Sequence, residues 1–289
     1  MKKMENKYNE HIKKEKIRLS SNTIDFIGIN IDLETGDYGV KTYYSPVSCM
    51  QYTPKITNEI LTYTTKNNMN RFFWLVRDEW QIREYIALKN RTNKKMEGLY
   101  ELLKRYNYIN ENIVEIKRMS EMKFTDKEDS KYSSLYILGL KGDKEKKIIN
   151  FEWFTRKCPD PDDVGYMYKY DDEYFLNYLA TINIIGYNIL AKMAQRLLFY
   201  YASINMHLWC FASDYFSDNN VKHKIYFKGN FENITFRKII EVANLPIKDY
   251  IVSEVDEFIQ CHTELILYGF AICVNSKEHF SINCYFRFK

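Results

Sequence analysis

Five times along this chain a helical segment is followed by a pair of alternating ones, and that recurrence narrows the possible folds more than any single motif. The pairs are Thr23–Asp32 with Gly39–Tyr44, Asn70–Val76 with Gln81–Leu88, Ser133–Leu140 with Lys146–Phe154, Leu208–Phe216 with Lys222–Lys228, and Glu264–Asn275 with His279–Lys289. Short polar turns join the members, so each pair reads as an antiparallel hairpin. The second is the least distinct, because Gln81–Leu88 also suits a helix. Helical patterning fills the intervals: residues 1–20 as an amphipathic helix or a basic arm, Ile56–Lys66, Lys94–Met122, Asp171–Ser203, and Asn233–Thr263 with a break near Pro246. Polar 123–131 reads as a loop, and 155–165, with two prolines, as a surface loop or a lid.

With only 10 Gly and 5 Pro in 289 residues, no stretch has the composition of a linker. The expectation is one α+β domain spanning 1–289, in which five helix–strand–strand repeats close a ten-stranded antiparallel barrel surrounded by helices. Ten strands leave an interior wider than packed side chains need.

Other classes find little support. Lys+Arg of 42 against Asp+Glu of 38 gives +4, too weak a bias to argue for nucleic acid. The six cysteines form no CxxC pair, and Cys261-His262 has no companion at ligand spacing, so no zinc site is expected and reduced thiols are the default. The N-terminus has no apolar h-region and no stretch reaches 18 apolar residues, which predicts a cytoplasmic protein without a membrane span. There is no GxGxxG, Walker loop, HExxH or nucleophile elbow, and neither Asp162-Asp163 nor Asp171-Asp172 completes a DDxxD motif. His207 and His223 have no matched catalytic partners. The excess of 25 Tyr and 18 Phe is the compositional feature that needs a use.

The second strands supply one. Lys41-Thr42-Tyr43, Arg83-Glu84-Tyr85, Lys224-Ile225-Tyr226 and Asn283-Cys284-Tyr285-Phe286-Arg287 each put a polar or cationic residue two before a tyrosine, so the two share a face. The opposite faces are apolar: Ile82, Ile86 and Leu88; Ile225 and Phe227; Ile282, Phe286 and Phe288. The third hairpin departs, with Ile149, Phe151 and Trp153 opposite Asn150 and Glu152. Helices pack on apolar faces, so the Lys/Arg/Tyr side is expected to line the barrel. Buried cations are costly unless paired, and an anionic ligand can supply the counter-charge. Diphosphate suits several Lys and Arg donors, and interleaved tyrosines can turn their rings to a carbocation.

This architecture resembles the ABBA-type aromatic prenyltransferases over nearly the whole chain. The resemblance implies transfer of a prenyl group, dimethylallyl first, from its diphosphate to an aromatic small molecule or to a Tyr/Trp peptide. It implies that Lys41, Tyr43, Arg83, Tyr85, Lys224, Tyr226, Asn283, Tyr285 and Arg287 bind the diphosphate and shield the cation. It implies that Asp25, expected opposite Lys41, is the base. No cofactor is required by the sequence, and Mg2+ is left open because no acidic cluster stands out. Neither a membrane nor a nucleic acid is a partner in this reading. The competing one is a non-catalytic module whose exposed basic–aromatic sheet binds an anion such as single-stranded nucleic acid.

Overall fold

A computed structural model describes residues 2–18, 24–44, 55–77, 82–106, 109, 113–120, 135–142, 147–154, 176–177, 179–180, 186–201, 206–216, 220–229, 231, 234–275 and 277–289. The segments 123–131 and 155–165, and Asp162, Asp163, Asp171 and Asp172, lie outside the described residues.

The strands are β1 (Ile24–Asp32), β2 (Tyr38–Tyr44), β3 (Asn70–Arg77), β4 (Ile82–Leu88), β5 (Leu135–Gly142), β6 (Lys147–Phe154), β7 (His207–Phe216), β8 (Val221–Lys228), β9 (Leu265–Asn275) and β10 (Phe280–Phe288). Each pairs antiparallel with its sequence neighbour, and β10 returns to β1, closing the sheet into a barrel. Gln81–Leu88, ambiguous in sequence, supplies a strand, with Ile86 and Ala87 wholly buried on opposite faces. The described helices are α1 (Lys2–Arg18), α2 (Lys55–Lys66), α3 (Asn93–Arg105), α4 (Ile113–Ser120), α5 (Tyr187–Tyr200), α6 (Phe236–Ala243) and α7 (Asp249–Cys261). None of them is long and apolar enough to cross a membrane.

Two helices expected to be continuous are not. The stretch 94–122 holds α3 and α4 as separate pieces, with α3 ending at Arg105. Within 171–203, residues 176–177 and 179–180 are already helical, and α5 starts separately at Tyr187, after Gly186 in the left-handed region at φ 93°. A Cβ on Gly186 would stand 2.7 Å from Val274 Cγ1, so glycine is required there twice over. The break near Pro246 separates α6 from α7, with Asn244 in the left-handed conformation ending α6.

The core is a shell between sheet and helices. Along β1 the outward residues Ile27, Ile29 and Ile31 are fully buried, as are Ile225 on β8 and Ile282 on β10. They join Leu99, Leu190, Phe236 and Phe258 of the helices in one cluster. Each such side chain, fully buried, contributes about 1.5–3 kcal/mol.

Within the N-terminal stretch, Lys2–Arg18 form a docked helix rather than a loose arm. Met4, Tyr8, His11, Ile12 and Glu15 make a buried stripe at helical spacing. Glu254 on α7 accepts from Met4 N at 2.9 Å and Tyr38 Oη at 3.0 Å. His262 lies between Glu5 at 2.9 Å and Glu264 at 2.7 Å. Tyr44 donates to Glu15, so the polar residues of the stripe have partners too.

Candidate active site in the barrel lumen

With the apolar faces turned to the helices, strand alternation sends the other set inward. Lys41 and Tyr43 on β2, Arg83 and Tyr85 on β4, Asp214 on β7, Lys224 and Tyr226 on β8, and Asn283 and Tyr285 on β10 share the inner side of the register. The Lys224–Tyr226 face is not an exposed sheet face: Lys224 is 5% exposed inside a closed barrel.

The cations gather round one carboxylate. Lys224 Nζ is 2.6 Å from Asp214 Oδ2, and Arg83 Nη1 is 3.4 Å from Asp214 Oδ1. Arg83 also donates to Tyr85 Oη at 3.0 Å. Burial, the largest influence, and Arg83 lower the pKa of Lys224, but Asp214, joined by Tyr85 and Cys273, acts the other way and the amine ends above its ordinary range. Lys41 draws too weak a support from Asp214. Burial, then Arg83, Lys224 and Lys222, push it down to about 7, with Asp214 alone acting the other way. Among the side chains described, the three cations Lys41, Arg83 and Lys224 outnumber Asp214 in this part of the lumen.

Next along the lumen comes a layer of phenols. The rings of Tyr43 and Tyr285 are 5.9 Å apart edge to face, and those of Tyr226 and Tyr285 stack at 5.8 Å. Burial, followed by Tyr43, raises the Tyr285 pKa far above the phenol range, so it stays a hydrogen-bond donor. Tyr85 packs with Val76, Ala87 and Ile137, and Tyr43 lies against the group, forming an apolar patch on the lumen wall. Gly28 makes room: it pairs with Lys41 and Tyr285, and a Cβ there would meet Tyr43 Cε2 at 3.0 Å.

The end at which β1 starts and β10 stops is different again. Arg287 Cζ lies 3.8 Å from the centroid of Tyr268 and 4.4 Å from that of Phe26. Lys228 Nζ sits on the Trp209 ring and 4.6 Å from Tyr268. Contacts Trp209–Tyr268 at 6.0 Å, Tyr268–Phe26 at 5.4 Å and Phe26–Tyr43 at 6.3 Å join this end to the phenol layer.

The predicted residues thus separate into groups. Lys41, Arg83 and Lys224 converge with Tyr43, Tyr85, Tyr226 and Tyr285. Asn283 is engaged within the wall, accepting from Asn30 at 2.6 Å and lying 3.5 Å from Cys273 Sγ. Arg287 belongs to the aromatic end, not to the cation cluster. Asp25 is not opposite Lys41, because Gly28 occupies that register; Asp25 falls in a bulge between Ile24 and Phe26. Burial raises its carboxyl pKa, with the charge of Arg287 opposing. His223 points outward, 2.8 Å from Ser213 Oγ and against the rings of Tyr187 and Phe211.

Sequence reasoning missed Asp214, Phe26, Trp209 and Tyr268. Comparing first strands as well as second ones would have exposed Asp214, which shares parity with Lys222 across the fourth hairpin. For Mg2+ the described donor set is a poor fit. Among the side chains described, the lumen carboxylate Asp214 is already held by Lys224 and Arg83, with Lys41 near enough to be affected by its charge.

No family model and no curated sequence matches the chain. Solved structures do. AnaPT from Neosartorya fischeri superposes with a TM-score of 0.61 at 9% identity, covering 91% of this chain and 78% of that one. NotF prenyltransferase gives 0.58 at 7%, covering 91% and 80%. The chain shares the barrel fold of these structures. Prenyltransferase PriB, in a ternary complex with L-tryptophan and dimethylallyl thiolodiphosphate, matches at 0.54 and 7% identity over 91% and 79%. NotF has also been solved with brevianamide F and the same thiolodiphosphate. At such identities the likeness is one of fold, and the barrel of this chain is furnished with its own residues.

Proposed function

We propose that this chain is an aromatic prenyltransferase that moves a prenyl group, dimethylallyl, from its diphosphate to an electron-rich aromatic acceptor. The observation that carries the reading is the convergence of Lys41, Arg83 and Lys224, from three different strands, around Asp214, which they outnumber among the side chains described. Such a cluster is held in waiting for a polyanion. That the PriB and NotF structures contain dimethylallyl thiolodiphosphate supports the same choice of donor.

Lys41, Arg83 and Lys224 hold the diphosphate oxygens through charge-assisted hydrogen bonds, and Tyr85, Tyr226 and Tyr285 offer phenol donors. The allylic C–O bond breaks, its electron pair passing to the diphosphate oxygen, where the fixed cations stabilise the growing charge without reorganising. The allyl group lies against the Tyr43–Tyr85–Val76–Ala87–Ile137 patch, and the faces of Tyr43, Tyr226 and Tyr285 shield its positive charge. The arene attacks the cation, and the displaced ring proton goes to Asp25, whose raised pKa makes it a better acceptor than an ordinary aspartate.

The direct test is incubation with dimethylallyl diphosphate and a panel of indoles, phenols and Tyr/Trp peptides, followed by mass spectrometry for addition of one prenyl unit. Lys224→Ala is expected to weaken binding of inorganic pyrophosphate at least tenfold; equal affinity in parent and variant would show that the diphosphate is held elsewhere.

A further inference from the structure

We propose that His262 is a pH-operated clasp on α1: its imidazolium bridges Glu5 of that helix and Glu264 beside β9, and loss of the proton above neutral pH loosens the helix from the barrel wall. The clasp stands outside the lumen and works whatever the lumen binds.

Its geometry is fixed on every side. His262 ends α7, with its backbone N–H donating to Phe258 O. The ring stands edge-on to Tyr8 of α1, centroids 4.7 Å apart, and tilts against Phe258 at 4.4 Å. Held this way, each nitrogen meets a carboxylate: Nε2 is 2.9 Å from Glu5 Oε2, and Nδ1 is 2.7 Å from Glu264 Oε1. Only the imidazolium carries an N–H on both nitrogens. The neutral ring donates once, so one carboxylate must then face a lone pair. Glu264 is two residues along the chain and stays close, whereas Glu5 can retreat only with α1.

The charges around the ring act in the same direction. The titratable groups that face it are Glu5 and Tyr8 from α1 and Glu264 from the turn before β9, while Lys289, just past β10, acts on Glu264. Burial works against the charged ring, but the hydrogen bonds to Glu264 and Glu5 outweigh it and hold the pKa above the ordinary histidine value. Burial pushes the Tyr8 phenol up to about 12, so Tyr8 stays neutral while His262 titrates. Because Glu5 raises the pKa only in the docked state, the clasp contributes fully below a pH of about 6.5. Its contribution is lost as pH rises through the docked-state pKa.

The helix held by the clasp braces a strand of the lumen. Along the outer face of β2, Lys7 donates to Tyr38 O at 2.6 Å, His11 lies 3.5 Å from Thr42 Oγ1, and Tyr44 donates to Glu15. Lys41 and Tyr43 occupy the other face of that strand.

Hydrogen exchange of the intact protein, read by mass spectrometry on α1 peptides and corrected for the intrinsic pH dependence of exchange, follows opening of the helix between about pH 6 and about pH 9. Protection of α1 is expected to fall about tenfold, the lower end for a hydrogen bond to a charged group, because Glu5 is partly exposed. Protection of α3 should stay constant. Glu5→Gln is expected to flatten the profile, since an amide accepts from the charged ring and donates to the neutral one, and His262→Gln to flatten it by removing the titrating group. Circular dichroism checks that both variants keep the fold. Nuclear magnetic resonance titration of the His262 ring supplies a second readout: its midpoint should lie above the ordinary histidine value in the parent and fall in Glu5→Gln. Constant α1 protection across that range in the parent, a fall that persists in either variant, or a ring midpoint that Glu5→Gln leaves in place overturns the clasp.

Discussion

Asp214 offers the most searching test of how the lumen is balanced. Its carboxylate, 4% exposed, holds Lys224 at 2.6 Å and Arg83 at 3.4 Å, while Lys41 stands close enough to be affected by all three. Asp214→Asn keeps the shape and removes the charge, leaving buried cations facing one another. Breaking a buried pair costs about 3–5 kcal/mol, because the surviving charge loses its partner without regaining water. Lys224 can escape by shedding its proton, but at pH 7 that costs about 1.4 kcal/mol for each pKa unit it has to fall, so escape does not remove the penalty. Urea denaturation at pH 7 should therefore show a loss of about 3–5 kcal/mol. A bound anion replaces the missing charge. Inorganic pyrophosphate at 100 times its dissociation constant stabilises any folded protein by about 2.7 kcal/mol, and its affinity should be higher for Asp214→Asn, since it no longer competes with a carboxylate. Stability within 1 kcal/mol of the parent at pH 7, or weaker pyrophosphate binding by the variant, would refute the charge balance drawn here.

Other outcomes follow from single features. Lys41 loses its proton near pH 7 in the empty barrel, and a bound anion favours the charged amine, so pyrophosphate affinity should fall as pH rises above about 7, by up to tenfold per unit. Lys41→Arg should flatten that profile relative to the parent, which cancels the titration of pyrophosphate itself. Gly28→Ala puts a methyl group 3.0 Å from Tyr43 Cε2, and turnover of dimethylallyl diphosphate should drop while pyrophosphate affinity changes less; unaltered turnover would place Tyr43 outside the reaction. His223, buried, has a folded-state pKa lowered to about 3, so the unfolded chain takes up a proton first. Stability from this group is present above pH 6.5 and is lost as pH falls toward 3, at up to about 1.4 kcal/mol per unit. Denaturation midpoints across that window should flatten in His223→Phe.

The barrel was legible because its alternation is strict where the helices pack. Ile225 and Phe227, or Ile282 and Cys284, can be buried only if Lys224, Tyr226 and Asn283 face the other way. What period two could not carry was the end of the lumen. Irregular register between Ile24 and Phe26, between Leu208 and Cys210, and between Tyr285 and Phe286 leaves Asp25, Trp209 and Tyr268 without a simple partner. A bulge adds one residue and resets the parity beyond it. Arg287 keeps the face of Asn283 and Tyr285, but stands two residues farther along β10, where the bulged Tyr268 of β9 and Phe26 flank it. The buried stripe of α1 was hidden for another reason: His11 and Glu15 count as polar in any pattern, and only their partners in the fold make them interior residues.

The apolar core of this protein is a shell wrapped round the barrel, and the lumen lies inside it, apart from the packing that holds the chain together. Stability and chemistry are thus written on opposite faces of the same ten strands. Residues facing inward can be exchanged with little damage to the fold, provided that the lumen's charges stay balanced. A scaffold of this kind can accept new substrates by rewriting every second residue of a strand and leaving the others alone, which suits the fold's persistence at 7–9% identity.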